Sequence, residues 1–379
     1  MNNSYDVIIV GGGVNGCSSA YQLAKRGYRT LVLERGRVAG EASSAAAGML
    51  GAQVEISEKG PFFDFARTSR DMFRDLVPEL EERAGMSVSY VQNGMLKVAC
   101  SEVEKTRLRS MLSFQKQTDE QVEWWGREEL SCREPALSDQ AAGALFIPRD
   151  SQVKAEELTL AYARAAASYG ADIKEFTQVT SLLQQSGRVY GATTTEGDVY
   201  AAHVILAAGA WTDMIPEAAD LKMVPVKGEI LSVRPAVPLI TSTIHAADFY
   251  LVPKAGGSLI IGATEHEGVK DKKVTAASVQ HLLTKAIALV PQVAEAEFER
   301  AWTGVRPQSA DEKPYLGAAH LEGLWVAAGH YRNGILLSAL TGKWIADLIG
   351  GNPVDPDWEK EFSPLRMTDR KENGVEINH

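Results

Sequence analysis

At 379 residues the chain is long enough for two domains, each with a core of its own. A hydrophobic content of 45% beside 23% charged residues describes an ordinary globular protein. The net charge of -10 and a pI near 5.3 give no support to nucleic-acid binding, and no basic run stands out.

The predicted elements begin with YDVIIVGGGVNG, residues 5–16. Val7-Ile8-Ile9-Val10 is an uninterrupted, wholly β-branched run, the pattern of a parallel strand buried on both faces. Gly11, Gly13 and Gly16 complete G-x-G-x-x-G, whose glycines serve a tight turn, close backbone approach to phosphate, and close helix-to-strand packing. Val14 and Asn15 then open a helix running to Lys25, and its N–H groups and positive dipole end would face a pyrophosphate. A second strand over 28–33 ends at Glu34, about 20 residues beyond the turn, where a carboxylate holds ribose hydroxyls. The competing reading of Glu34 is a solvated charge at a strand end. This β-α-β context predicts a dinucleotide site, disfavours NADP, and leaves NAD and FAD open.

Residues 40–49, GEASSAAAGM, read either as a plain short helix or as small side chains that let the backbone lie flat against a planar ligand. Amphipathic spacing predicts helices over 61–83 and 102–116, a further helix over 155–169, strands through 171–209, and a β-rich stretch from 226 to 264. Within that stretch, 249–253 and 258–262 flank Ala255-Gly256-Gly257 as a hairpin. A helix over 274–289 and a final helix over 335–349 follow, the last after Arg332-Asn333-Gly334.

Two more apolar runs, 204–209 and 324–329, end in small residues and glycine. A final helix whose N-terminus lies beside an isoalloxazine would stabilise negative charge on a reduced flavin, which tilts the choice toward FAD. The cofactor pieces stand at the beginning, middle and end of the chain, so two interleaved domains are expected. No Ser/His/Asp or Cys/His constellation and no metal-ligand spacing stands out; His245, His266 and His330 are isolated. Cys17, Cys100 and Cys132 show no redox or ligand spacing and are expected as reduced thiols. The start lacks a basic n-region and no apolar stretch reaches bilayer length, so neither a secretory signal nor a membrane partner is expected, and a cytoplasmic location is.

The glycine turn with Glu34-Arg35, the SSAAAGM segment at 43–49, Ala207-Ala208-Gly209-Ala210-Trp211, Gly304-Val305-Arg306-Pro307, and AGHYRNGI at 328–335 together resemble the glycine-oxidase branch of the D-amino-acid-oxidase and sarcosine-oxidase flavoprotein family. The match runs in order from about residue 5 to 347, with the two narrow signals in SSAAAGM and AGHYRNGI.

The resemblance implies an α/β fold: a Rossmann-like FAD-binding domain (1–50, 150–222, 305–365) interleaved with an α+β substrate and oligomerisation domain on a mostly antiparallel sheet (51–149, 223–304). It implies FAD contacts at Val14, Glu34, Arg35, Ala42, Ser43, Ala47, Gly48, Met49 and Val179. Ala208, Gly209 and Trp211 join them, as does the run His330, Tyr331, Arg332, Asn333, Gly334, Ile335 and Leu336 under the flavin ring. Arg306 matches the arginine that pairs with a substrate carboxylate, with Tyr250, Arg332 and Met49 beside it. A guanidinium offers a carboxylate two parallel donors, which lysine cannot copy. The alternatives are an ion pair of Arg306 with Asp311 or Glu312, plain packing for Tyr250, and a helix-start contact to carbonyls for Arg332.

The implied activity is oxidative deamination of glycine, sarcosine or D-alanine with oxygen as acceptor, by a homotetramer that can feed thiamine synthesis. A flavin dehydrogenase passing electrons to a quinone is the alternative, and a non-catalytic nucleotide-binding scaffold a more distant one. Two positions depart from the family. The neighbourhood before the final helix has no cysteine, so FAD is expected to be non-covalent. Glu265 stands in the substrate region where relatives carry a lysine or an apolar residue.

Overall fold

Buried β-branched runs assemble the first of two large sheets. The computed structural model describes residues 4–56, 58–118 and 121–366; residues 1–3, part of the start in which no secretory signal is expected, lie outside them. Five strands run parallel in the order Asp172–Lys174, Thr30–Leu33, Ser4–Val10, Gly197–Leu206 and Leu324–Ala328. Tyr315–Ala318 closes one edge antiparallel, and the meander Val179–Gln185, Arg188–Thr194 leads into Gly197–Leu206.

The first strand shows why its sequence does not alternate. Val7 and Ile9 face the core formed with helices Val14–Lys25, Ala155–Ser168 and Gly334–Ile349, while Ile8 and Val10 face the core under the meander. Both faces are dry, so a charge at any of these positions would lose its solvation. Pro61–Ala84 joins the first of those cores through Phe65, Ala66, Phe73 and Leu80.

The second sheet is antiparallel except where Thr243–His245 runs parallel to Met95–Ala99. Its long strands Met223–Arg234 and Glu297–Ser309 pair along most of their length, and the hairpin Tyr250–Pro253, Leu259–Gly262 lies alongside. Helix Ala276–Leu289 adds Leu282, Ala286 and Leu289 to the core beneath this sheet. The chain therefore passes repeatedly between a parallel and a mostly antiparallel sheet, the α/β arrangement expected. Among the described residues, no helix is long and apolar enough to cross a membrane.

Candidate active site

A long cleft runs from the glycine turn to the face of the second sheet, with an interior volume of about 360 Å³. At its first end the backbone geometry depends on glycine. Gly11 has φ +113, and a Cβ there would lie 2.4 Å from the Ala207 carbonyl oxygen. A Cβ at Gly16 would lie 2.1 Å from the Gly11 carbonyl oxygen, so this glycine sits behind the turn and lets helix Val14–Lys25 close on the strand. The helix starts at Gly13 without a side-chain cap of its own; the Val14 N–H instead donates to Ser43 Oγ at 2.9 Å. Asn15 lines the cleft, and its side-chain oxygen is buried without a hydrogen-bond partner.

Glu34 ends the second strand with both carboxylate oxygens oriented. Gly12 N–H donates to one at 2.7 Å and Gly36 N–H to the other at 2.8 Å. Each oxygen keeps acceptor capacity toward the cleft, which Glu34 lines. Near it, the Arg35 guanidinium lies 3.9 Å from the centroid of the Trp211 ring, and Val179, Ala208 and Gly209 complete this wall.

The alanine-rich segment is part helical and part extended. Ala42–Ala45 is a short helix, while the chain beyond it is extended and small. Gly48 has φ +81, and a Cβ there would fall 1.9 Å from the Val153 carbonyl oxygen. Trp302 Nε1 donates to the Ala45 carbonyl at 3.0 Å, and a Cβ at Gly304 would sit 2.5 Å from Ala45 Cβ. Ala42, Ser43, Ala47, Gly48 and Met49 all line the cleft. Behind Gly48, Lys254 Nζ donates to Gln152 Oε1 at 2.8 Å and to the Val153 carbonyl at 2.9 Å, and burial pulls its pKa down to about 7.

A second helix N-terminus opens on the cleft. Residues Tyr331–Asn333 form a single 3-10 turn leading into Gly334–Ile349, which has no side-chain cap. Tyr331 holds φ +48, a left-handed conformation costly for an aromatic residue. His330 through Ile335 line the cleft. Leu336 points into the core, where its carbonyl accepts from Ser69 Oγ at 2.7 Å. His330 contacts Thr341 Oγ1 at 3.1 Å, and burial pushes its pKa down to about 3, so the ring is neutral.

At the far end Arg306 extends from strand Glu297–Ser309 over Gly228 of the neighbouring strand. A Cβ at Gly228 would lie 2.7 Å from Arg306 Nη2 and 2.8 Å from its Cζ. Arg306 Nη1 donates to the Thr264 carbonyl at 3.2 Å. Asp311, one ion-pair candidate for it, pairs with Arg366 at 2.7 Å. Tyr250 is buried beside it over Gly262, where a Cβ would come within 2.7 Å of the phenol oxygen. Burial pushes the Tyr250 pKa up against the pull of Arg306 and Arg332. Arg332 contacts carboxylates: Glu265 Oε1 at 2.7 Å and Glu55 Oε2 at 3.5 Å. Glu265 lies outside the cleft lining, half exposed above Arg332.

Glu55 is the residue that sequence reasoning missed. It closes a four-residue helix, Ala52–Glu55, held because the buried Asp150 carboxylate accepts the Gln53 and Val54 N–H groups. His245 Nε2 lies 3.1 Å from its Oε1. Burial pushes Glu55 up, but His245, Arg332 and Lys97 outweigh it and hold the carboxyl well below the usual range. No periodicity or motif marks so short a segment.

The sequence pattern of the FAD dependent oxidoreductases, the DAO family, fits residues 6–348. The chain belongs to this family. Among relatives of this FAD-dependent oxidoreductase, the glycine oxidase of Geobacillus kaustophilus is 45% identical over 356 residues, covering 92% of this chain and 94% of that protein. The glycine oxidase of Bacillus subtilis is 37% identical, covering 98% and 99%. The crystal structure of the Geobacillus kaustophilus enzyme superposes with a TM-score of 0.92 at 43% identity, covering 96% of this chain and 99% of that one.

The cleft of this FAD-dependent oxidoreductase fits the cofactor on its own geometry. Two helix N-termini without side-chain caps, Asn15 with a buried oxygen that lacks a partner, and the small residues Ala47 and Gly48 all line one channel. None of the three cysteines lines it.

Proposed function

We propose that this flavoprotein oxidises glycine and other small amines such as sarcosine and D-alanine, releasing glyoxylate or pyruvate with ammonia or methylamine. The observation that carries the reading is the juxtaposition of the Arg306 guanidinium and the buried Tyr250 at the inner end of the cleft. Arg306 would take the substrate carboxylate in a paired, charge-assisted contact, and Tyr250 would add a hydroxyl donor and an aromatic wall. Gly11, Gly13, Val14, Asn15, Glu34 and Ser43 would hold the pyrophosphate and ribose, Arg35 and Trp211 the far end. Gly48, Met49 and residues 330–335 would hold the ring.

FAD held there would supply the two-electron acceptor for the hydride leaving the α-carbon, with O2 as final acceptor and H2O2 as product. The amine must react neutral, so that its lone pair becomes the C=N bond of the imine as the hydride departs; water then releases ammonia or methylamine. Neutral His330 would add no charge to this end of the cleft. Positioning supplies the catalysis, and no side chain is assigned as acid or base.

The proposal extends to the domain division, with 1–50, 150–222 and 305–365 serving the cofactor and 51–149 and 223–304 the substrate and subunit contacts. It extends to a cytoplasmic homotetramer and to supply of glycine imine for thiamine synthesis. A peroxide-coupled assay with glycine, sarcosine, D-alanine and L-proline tests the reaction. Turnover with peroxide supports it. Dye reduction without peroxide would support a dehydrogenase instead, and no turnover on any of the four would refute the proposal.

A further inference from the structure

Four charged groups meet at the substrate end. Arg332 sits between Glu265, at 2.7 Å, and Glu55, at 3.5 Å, while Arg306 Nη1 lies 3.9 Å from the same Glu265 oxygen. The two arginines and two glutamates cancel in formal charge. Glu55 and, against burial, Glu265 hold the Arg332 guanidinium protonated well above its ordinary range. One oxygen of Glu265 thus lies beside both guanidinium groups, where a ligand's second carboxylate would otherwise find a partner. The Tyr331 hydroxyl lies 3.5 Å from the same Glu265 oxygen.

We propose that Glu265 is a specificity-determining residue: by occupying Arg332 it leaves Arg306 as the one carboxylate anchor and restricts the site to substrates with a single carboxylate. The inference rests on the amine-oxidase reading above and narrows its substrate class. A mono-anion such as glycine needs Arg306 alone. A diacid such as D-aspartate would place its second carboxylate against the negative charge of Glu265, with no cation left to receive it. Glu265 is 45% exposed, so water and salt screen the repulsion in part, and discrimination should weaken as ionic strength rises.

The test uses the FAD-loaded, full-length protein and two unreactive probes, acetate and succinate, titrated by calorimetry, with kcat/KM for D-alanine and D-aspartate measured alongside. Glu265→Gln should tighten succinate relative to acetate by about tenfold or more and raise D-aspartate relative to D-alanine similarly. Glu265→Asp, which keeps the charge, should stay near the parent ratio. The gain should vanish when Glu265→Gln is combined with Arg332→Met, because the second carboxylate is then left without its cation. An unchanged ratio in Glu265→Gln, with acetate still competing with glycine, would overturn the role of Glu265 alone. A gain that survives Arg332→Met would also overturn it. If neither acetate nor glycine binds the parent protein, the amine-oxidase reading itself fails, and this inference with it.

Discussion

Gly228→Ala separates the carboxylate site from the fold that carries it. The added Cβ would lie 2.7 to 2.8 Å from three guanidinium atoms of Arg306, whereas ordinary contact begins near 3.4 Å. The guanidinium must therefore retreat by about 0.7 Å, since atoms that close are strongly repelled. A long side chain can make that move, so the backbone pairing with strand Glu297–Ser309 should survive. Removing a glycine from an extended strand also restricts the unfolded chain, by an amount of order 0.4–1 kcal/mol in the stabilising direction. Stability should thus hold or rise slightly, while the carboxylate is gripped from the wrong place. Displacements of this size cost on the order of 10- to 100-fold in kcat/KM. Steady-state peroxide kinetics on glycine and thermal unfolding, run on the same preparation, read the two effects. Unchanged kcat/KM at full stability would refute the placement of Arg306 as the anchor. A loss of activity that only tracks unfolding would refute the reasoning about Gly228.

Arg306→Lys should raise KM for glycine about 10-fold or more with the yellow colour retained, since an ammonium cannot make the paired contact; titration of the colour and of KM checks both. Asp150→Ala takes from the buried Arg70 one of its carboxylate partners, at 3.0 Å, with Asp71 remaining, and removes the acceptor from two N–H groups below Glu55. A loss of about 3 kcal/mol or more in denaturant unfolding is expected. Lys254 releases its proton near pH 7 in the folded protein but near 10.5 when unfolded, so the unfolded chain binds more protons between those values. Stability should rise with pH through that window and fall as pH drops toward 7. Lys254→Met should flatten the rise in Tm between pH 7 and 9, and parallel curves for the two proteins would contradict the assignment.

Local signals make much of the fold legible in the sequence. The unbroken Val7–Val10 run reads as a strand dry on both faces, and its side chains do divide between two cores. Gly11 and Gly16 read as turn and packing glycines, and each has a carbonyl where a Cβ would be. Periodicity predicts the helix at 61–83, but an amphipathic stripe says only that one face is covered; that it joins the helices of the first sheet is a tertiary fact. The proposed substrate end is less legible because its determinants are distant and individually ordinary. Gly228 and Gly262 look like any strand glycines until Arg306 and Tyr250 are seen to fill the space above them. Glu55 acquires its character from His245, 190 residues away, and from Arg332. Glu265 could be marked as unusual by resemblance, but its hold on Arg332 appears only in three dimensions.

The central claim is that one cleft holds FAD at the glycine turn and an amino-acid carboxylate on Arg306. Anaerobic titration of the purified protein with glycine tests it most directly, followed by the loss of flavin colour, in the parent and in Arg306→Ala. The parent should bleach fully and recover with peroxide on admission of air. Arg306→Ala, equally yellow, should need about 100-fold more glycine or beyond. A parent protein that stays yellow at saturating glycine, or an Arg306→Ala protein that bleaches at the parent's concentrations, would contradict the account.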